Sequence, residues 1–110
     1  MITEARRACR ESLEIALQLD NEQSIAMALE CAADVAQATG QYPAAAKFLG
    51  AASAIRESHS IIPIQIERAD NHRIHELLVA ALGDAQVQLE LLTGASLSPR
   101  KAASLALASI

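Results

Sequence analysis

Aromatic side chains are nearly missing from this chain: its 110 residues include no tryptophan, one tyrosine (Tyr42) and one phenylalanine (Phe48). A core without such anchors has to be assembled from many close contacts between small and aliphatic side chains. Positive charge is also in short supply. Nine Lys and Arg face thirteen Asp and Glu, which gives a net charge of −4 and a pI near 5.2, and this argues against a general nucleic-acid binder. No run of about 18 apolar residues is present, so no membrane-spanning helix is expected. The N-terminus lacks a basic segment followed by an apolar one, so no secretory leader is visible and the chain reads as cytoplasmic. The two cysteines, Cys9 and Cys31, are expected as reduced, partly buried thiols rather than a disulfide staple.

What the chain does have is alanine, 24 residues of it. Alanine is the best helix former, and β-branched residues are sparse, so an all-α domain is expected. Turn signals divide it into about six helices. The first runs from about Thr3 to Leu19, and Asp20 or Asn21 can cap the second. The second covers Glu22 to Thr39, with Ile25, Leu29, Ala32 and Ala36 on one face, and Gly40 ends it. The third spans Tyr42 to Ser58, with Pro43 in its first turn. Pro63 opens a fourth that ends near Leu82, with an apolar stripe of Ile66, Ile74, Leu77, Leu78 and Ala81. Gly83–Asp84 precedes a short fifth helix, Ala85 to Thr93, terminated by Gly94. The sixth has Ser98 as N-cap and Pro99 at its first position. Short loops imply that neighbouring helices pack antiparallel.

The alanines are ordered. Ala45, Leu49 and Ala52 follow the spacing A-x3-Φ-x2-A, and forty residues earlier the same spacing gives Ala5, Cys9 and Ser12. Ahead of the first triplet stand Leu29, Ala32, Ala33 and Ala36, then Gly40 and Tyr42. This resembles a tetratricopeptide repeat, a helical hairpin whose small residues let its two helices touch. On that pattern Leu29 takes the usual tryptophan place, Ala33 the small-residue place and Leu49 the aromatic place of the second helix, while Tyr42 and Ala45 match directly. The resemblance implies antiparallel hairpins stacked as a short right-handed superhelix. A forty-residue spacing exceeds the usual repeat of about 34 and implies longer helices. Ala85, Leu89 and Leu92 lie forty residues further on, but Ala69, His72 and Arg73 do not fit the matching first helix. Residues 1–58 are therefore repeat-like, and 59–110 form a degenerate hairpin or C-terminal cap.

The stretch ALECAADVAQATGQYPAAAKFLGAASAIRE, followed by P, ER, ALGDA, TGASLS and AASLAL, is similar to the C-terminal end of a group of large bacterial signal-transduction regulators. These carry a central NTPase, helical repeats and often a LuxR-type or related DNA-binding domain. The likeness runs from Ala28 to Leu107 and implies a partner-binding or sensor end. No GxxxxGK[ST] loop is present, so nucleotide chemistry does not carry over. No DNA-reading helix-turn-helix is evident. Val87 and Leu91 stand where the fifth helix of the group often carries aromatics. The chain opens on what looks like the second helix of a repeat without its first, as a fragment of a larger protein would.

Candidate chemistry is thin. His72 and His75 stand at i, i+3 beside Glu76, within reach of Glu67 or Asp70, and could hold zinc; a solvated helix face is the plainer reading. Arg6, Arg7 and Arg10 alternate with Glu4, Glu11 and Glu14, the pattern of a salt-bridged surface rather than a phosphate site. Neither cysteine has a histidine nearby in sequence to activate it. Ser53, Ser58 and Ser60 near His59 form no nucleophile turn. No catalytic residue and no cofactor is expected. The expected function is a non-catalytic interaction module whose partner is another protein or upstream domains of the same polypeptide. The alternative is a small metal-binding or enzymatic bundle using His72, His75 and Glu76. On the first helix, Ala8, Ile15 and Leu19 share one side, while Ala5, Cys9, Leu13, Ala16 and Leu17 widen the apolar arc to roughly 200°. With no preceding helix to cover it, that arc predicts a homodimer held by Ala8, Ile15 and Leu19.

Overall fold

The computed structural model describes the backbone of residues 2–59 and 65–110, and the side chains of residues 3–59, 69 and 71–110. Six helices account for nearly all of it: α1 (Ile2–Leu19), α2 (Glu22–Ala38), α3 (Tyr42–Ser58), α4 (Gln65–Leu82), α5 (Asp84–Ala95) and α6 (Pro99–Ser109). The fold is all-α, with no strand among the described residues. The expectations that Pro63 opens α4 and that Ile66 joins its apolar stripe fall outside the described residues.

Local chemistry sets the boundaries. Asp20 leaves α1 in a left-handed conformation (φ 52°), which a short polar side chain tolerates better than most. Asn21 then caps α2, its Oδ1 accepting the Ser24 N–H at 2.9 Å and so satisfying a donor that the helix start leaves open. At the other end of α2 the Gly40 N–H donates to the Gln37 carbonyl and the Gln41 N–H to that of Ala36. This pair of bonds needs a left-handed residue between them, and Gly40 supplies it at φ 80°. Ser98 caps α6 through the Lys101 N–H, with Pro99 placed where a missing donor costs nothing.

The α2–α3 hairpin forms the centre. α1 packs on α2, while α5 lies on α3 in a contact nearly as extensive as the hairpin itself. α6 reaches α1, α2 and α3, and α4 touches α2, α3 and α5 more lightly. The core is almost wholly small and aliphatic: Ile25, Leu29, Leu49, Ile55 and a bed of alanines, with Phe48 as its largest side chain. Of the residues placed in the repeat pattern, Leu29, Ala32, Ala33, Ala36, Ala45, Leu49 and Ala52 are buried, Tyr42 is half-buried and Gly40 is exposed.

Two expectations change here. The fifth helix does not stop before Gly94; it continues to Ala95, and Ser96 caps it. Gly94 is buried because a Cβ there would stand 1.9 Å from the Lys47 carbonyl oxygen, just as a Cβ on Gly50 would stand 2.1 Å from that of Leu91. The two glycines are reciprocal. Each lets the opposing helix backbone come close, which is why α5 beds on α3 rather than on α4, its neighbour in the chain. The second change concerns α4: Ile74 and Leu78 are buried, but Leu77 is 39% exposed and Ala81 is exposed. A helix that meets its neighbours only lightly buries a narrow i, i+4 seam rather than a broad stripe.

Part of the fastening of α4 is polar. Arg56 of α3, 7% exposed, donates from Nε and Nη2 to both Glu30 carboxylate oxygens at 2.9 and 2.7 Å. Asn71 Nδ2 of α4 donates to the same Glu30 at 2.9 Å. One carboxylate on α2 thus collects α3 and α4, with the bidentate geometry that makes a guanidinium pair directional.

Candidate functional site

The outward face of α1 and α2 is an exposed apolar surface among the described residues, as is that of Leu89 and Leu92 on α5. α1 turns Cys9, Leu13 and Ala16 into the core and leaves Ala5, Ala8, Ser12, Ile15 and Leu19 in solvent. Ile15 is 54%, Leu19 64% and Met27 49% exposed. Between the two helices runs a groove of about 400 Å³ lined by Ile15, Ala16, Met27, Ala28 and Cys31, with Ser12 and Ser24 as its polar members. Thus the three residues assigned from sequence to self-association, Ala8, Ile15 and Leu19, stand together on the exposed side of α1.

The apolar arc of α1 is not left wholly bare, however. α6 folds back to one flank of α1. Arg10 Nη1 donates to the Leu107 carbonyl at 2.8 Å, and Arg100 Nη1 donates to the Leu17 carbonyl at 3.2 Å and to Asp20 at 2.9 Å. Arg10 is thereby drawn across to α6, not held on a salt-bridged face of its own helix as the alternating charges suggested. Leu17 is half-buried against the core. The arc that α6 leaves open is therefore narrower than the roughly 200° of the helical wheel, and it centres on Ile15.

Cys9 and Cys31 meet on this hairpin. Cys9 has no exposed surface, and its Sγ lies 3.9 Å from the Ala28 carbonyl oxygen; Cys31 is exposed. Ala28 lies one turn before Cys31 on α2, so the Cys9 sulfur sits against the turn that carries Cys31, where its thiol can donate to the Cys31 sulfur. That bond lowers Cys31 to about 7, against burial and the nearby Asp34 charge, which push the other way. The same bond, then burial and the charge on Cys31, drives Cys9 far above the ordinary thiol range. From sequence both were expected as reduced, partly buried thiols with no histidine to activate them; Cys9 is instead fully buried and Cys31 exposed. The missed signal was symmetry: both lie eleven residues from Asp20, so an antiparallel hairpin turning there sets them side by side.

The histidines do not assemble in the same way. His72 Nε2 is 2.8 Å from Glu76 Oε1, with both side chains mostly in water, and His75 is half-buried. Glu67, Asp70 and Ser60 lie outside the described side chains. Among the described residues no group of three His, Cys, Asp or Glu side chains is placed to hold a metal ion. His59 instead pairs with Glu22, beside a polar cleft of about 720 Å³ where the ends of α1 and α3 meet the starts of α2 and α6. The Arg100–Asp20 ion pair and the His59–Glu22 contact partner these polar side chains of the cleft with one another. Among the described residues no helix is long and apolar enough to cross a membrane. In comparisons with known proteins, no family model, no curated protein and no solved structure matches this chain.

Proposed function

We propose that this chain is a non-catalytic, tetratricopeptide-like interaction or sensor module, part of the C-terminal region of a bacterial cytoplasmic signal-transducing transcriptional regulator. The observation that carries the interaction reading is the open α1–α2 face, where Ile15, Leu19 and Met27 stay about half or more exposed around an apolar groove. A helix with an uncovered apolar seam of this kind is completed by another helix. In a longer polypeptide an upstream repeat would fill it. In the isolated chain a second copy does so, most simply about a two-fold axis. The assignment to a regulator rests on the sequence resemblance between Ala28 and Leu107.

Light scattering during gel filtration tests the surface directly. At micromolar concentration the protein should run at twice its chain mass, and Ile15→Glu, which sets a carboxylate in the middle of the seam, should run as a monomer. A wild-type monomer with a cooperative, fully helical melt would overturn the proposed dimer, and would mean that α6 and the serines of the groove are cover enough.

A further inference from the structure

The α1–α2 hairpin brings two cysteines to neighbouring turns, one sheltered and one open to solvent. Cys9 is fully buried, with its Sγ 3.9 Å from the carbonyl of Ala28, one turn before Cys31 on α2. Cys31 lines the apolar groove together with Ile15 and Met27. No third metal-ligating group joins them among the described residues, so the chemistry open to the pair is that of a dithiol. We propose that Cys9 and Cys31 form a hydroperoxide-responsive site in which Cys31 is oxidised first and Cys9 then closes a reversible disulfide between α1 and α2. This inference stands on the hairpin alone and does not depend on the interaction reading.

The division of labour follows from exposure and hydrogen bonding. A thiolate is the nucleophile, and the neighbouring Cys9 thiol lowers Cys31 to about 7, which makes that form accessible at neutral pH. The Cys31 thiolate attacks the outer oxygen of a hydroperoxide, the O–O bond breaks, and the departing alkoxide takes a proton from solvent. Sulfur is oxidised to a sulfenic acid and the hydroperoxide is reduced to an alcohol, or to water when the oxidant is hydrogen peroxide. The Cys9 sulfur then attacks Cys31 Sγ while its proton goes to the leaving hydroxyl; the S–O bond breaks and water departs. Altogether two thiols and one hydroperoxide give one disulfide, one alcohol and one water. The two sulfurs, on facing turns of the hairpin, close to about 2.05 Å in the disulfide. A small thiol reverses the reaction by exchange. Closure draws the Cys31 sulfur away from the groove and pins α1 to α2.

The test uses the whole chain with a low molar excess of hydrogen peroxide, read by intact mass and thiol titration. Wild type should lose both titratable thiols and the mass of two hydrogens, remain a single chain, and recover with dithiothreitol. Cys9→Ala should stop at a Cys31 sulfenic acid that dimedone captures. Cys31→Ala, at an exposed site where the fold is not at stake, should keep Cys9 reduced. At pH 7, Cys31 would be about half thiolate against roughly 3% for an unperturbed thiol; after the accompanying loss of nucleophilicity, alkylation should run about threefold faster than that of free cysteine. Cys9→Ala should abolish this advantage. The proposal is overturned if wild type keeps both thiols under this exposure, if Cys31→Ala loses its Cys9 thiol at the wild-type rate, or if the oxidised product is a disulfide between chains.

Discussion

Replacing Gly50 with alanine sets two well-measured effects against each other. At an exposed helical site the change would stabilise by about 1 kcal/mol, because glycine is the worst helix former after proline. At Gly50 the new methyl would lie 2.1 Å from the Leu91 carbonyl oxygen, 2.8 Å from its carbonyl carbon and 2.8 Å from its Cα. All three atoms are backbone, so no rotamer change relieves the clash. Ordinary contact begins near 3.4 Å, so α5 has to retreat by roughly 1 Å along much of its contact with α3, and at that separation much of the dispersion energy is lost. Overpacking of this kind costs about 1–3 kcal/mol, and a rigid obstacle places it at the upper end. The net expectation is a loss of about 2 kcal/mol, or a melting temperature lower by roughly 8 °C for a domain of this size. Gly94→Ala meets the Lys47 carbonyl oxygen at 1.9 Å and should behave alike. Because both clashes sit at one helix crossing, the double variant should cost clearly less than the sum of the singles: once the helices have parted, the second methyl has room. Thermal and urea melts followed by circular dichroism would measure all three. A Gly50→Ala protein as stable as wild type, or strictly additive costs, would refute the backbone contact between α3 and α5.

Further expectations concern the hairpin and the charged residues. Ala33→Leu and Ala45→Leu, both at positions with no exposure, should each cost about 1–3 kcal/mol by overpacking, whereas Ala38→Leu, exposed, should be near neutral; equal melting shifts for the three would refute the packing described. Glu30→Ala removes the carboxylate that accepts two bonds from Arg56 and one from Asn71, and should cost about 2 kcal/mol in a urea melt, with Asn71→Ala costing about 1 kcal/mol. A Glu30→Ala melt within 0.5 kcal/mol of wild type, roughly the spread of ordinary surface substitutions, would show the network to be idle. The double substitution of His72 and His75 by alanine should leave both the melting temperature and the zinc content of untagged protein unchanged. A zinc-dependent rise in melting temperature that the double variant loses would establish a metal site instead.

Helix identity and most boundaries were readable from local chemistry, because each depends on a few adjacent residues: Asn21 and Ser98 as caps, Gly40 as the left-handed stop, Pro99 in a first turn. The periodicity of α1 likewise showed an apolar arc too wide for one neighbour. Which part of that arc is covered was another matter, since α6 lies some ninety residues away along the chain and Arg10 and Arg100 reach partners that no local pattern connects. The glycines show the same division. Gly40 could be interpreted from its neighbours because a helix C-terminus calls for φ above zero, while Gly94, followed by the small polar and turn-forming residues of "GASLSP", looked like another stop. Only its opposition to the Lys47 backbone makes it a packing residue. Glu30, Arg56 and Asn71 belong to three different helices, and each alone reads as a surface charge or amide. The sulfur pair lies between these cases: its mirror placement about Asp20 is written in the sequence, but the inward turn of Cys9 and the exposure of Cys31 depend on the rotation of each helix about its own axis. Local composition decides which segments become helices and where they stop, since those free energies are summed over neighbours in the chain. The pairing, closeness and rotation of the helices are decided by contacts among residues distant in sequence, and these acquire an energy only when the whole set is packed.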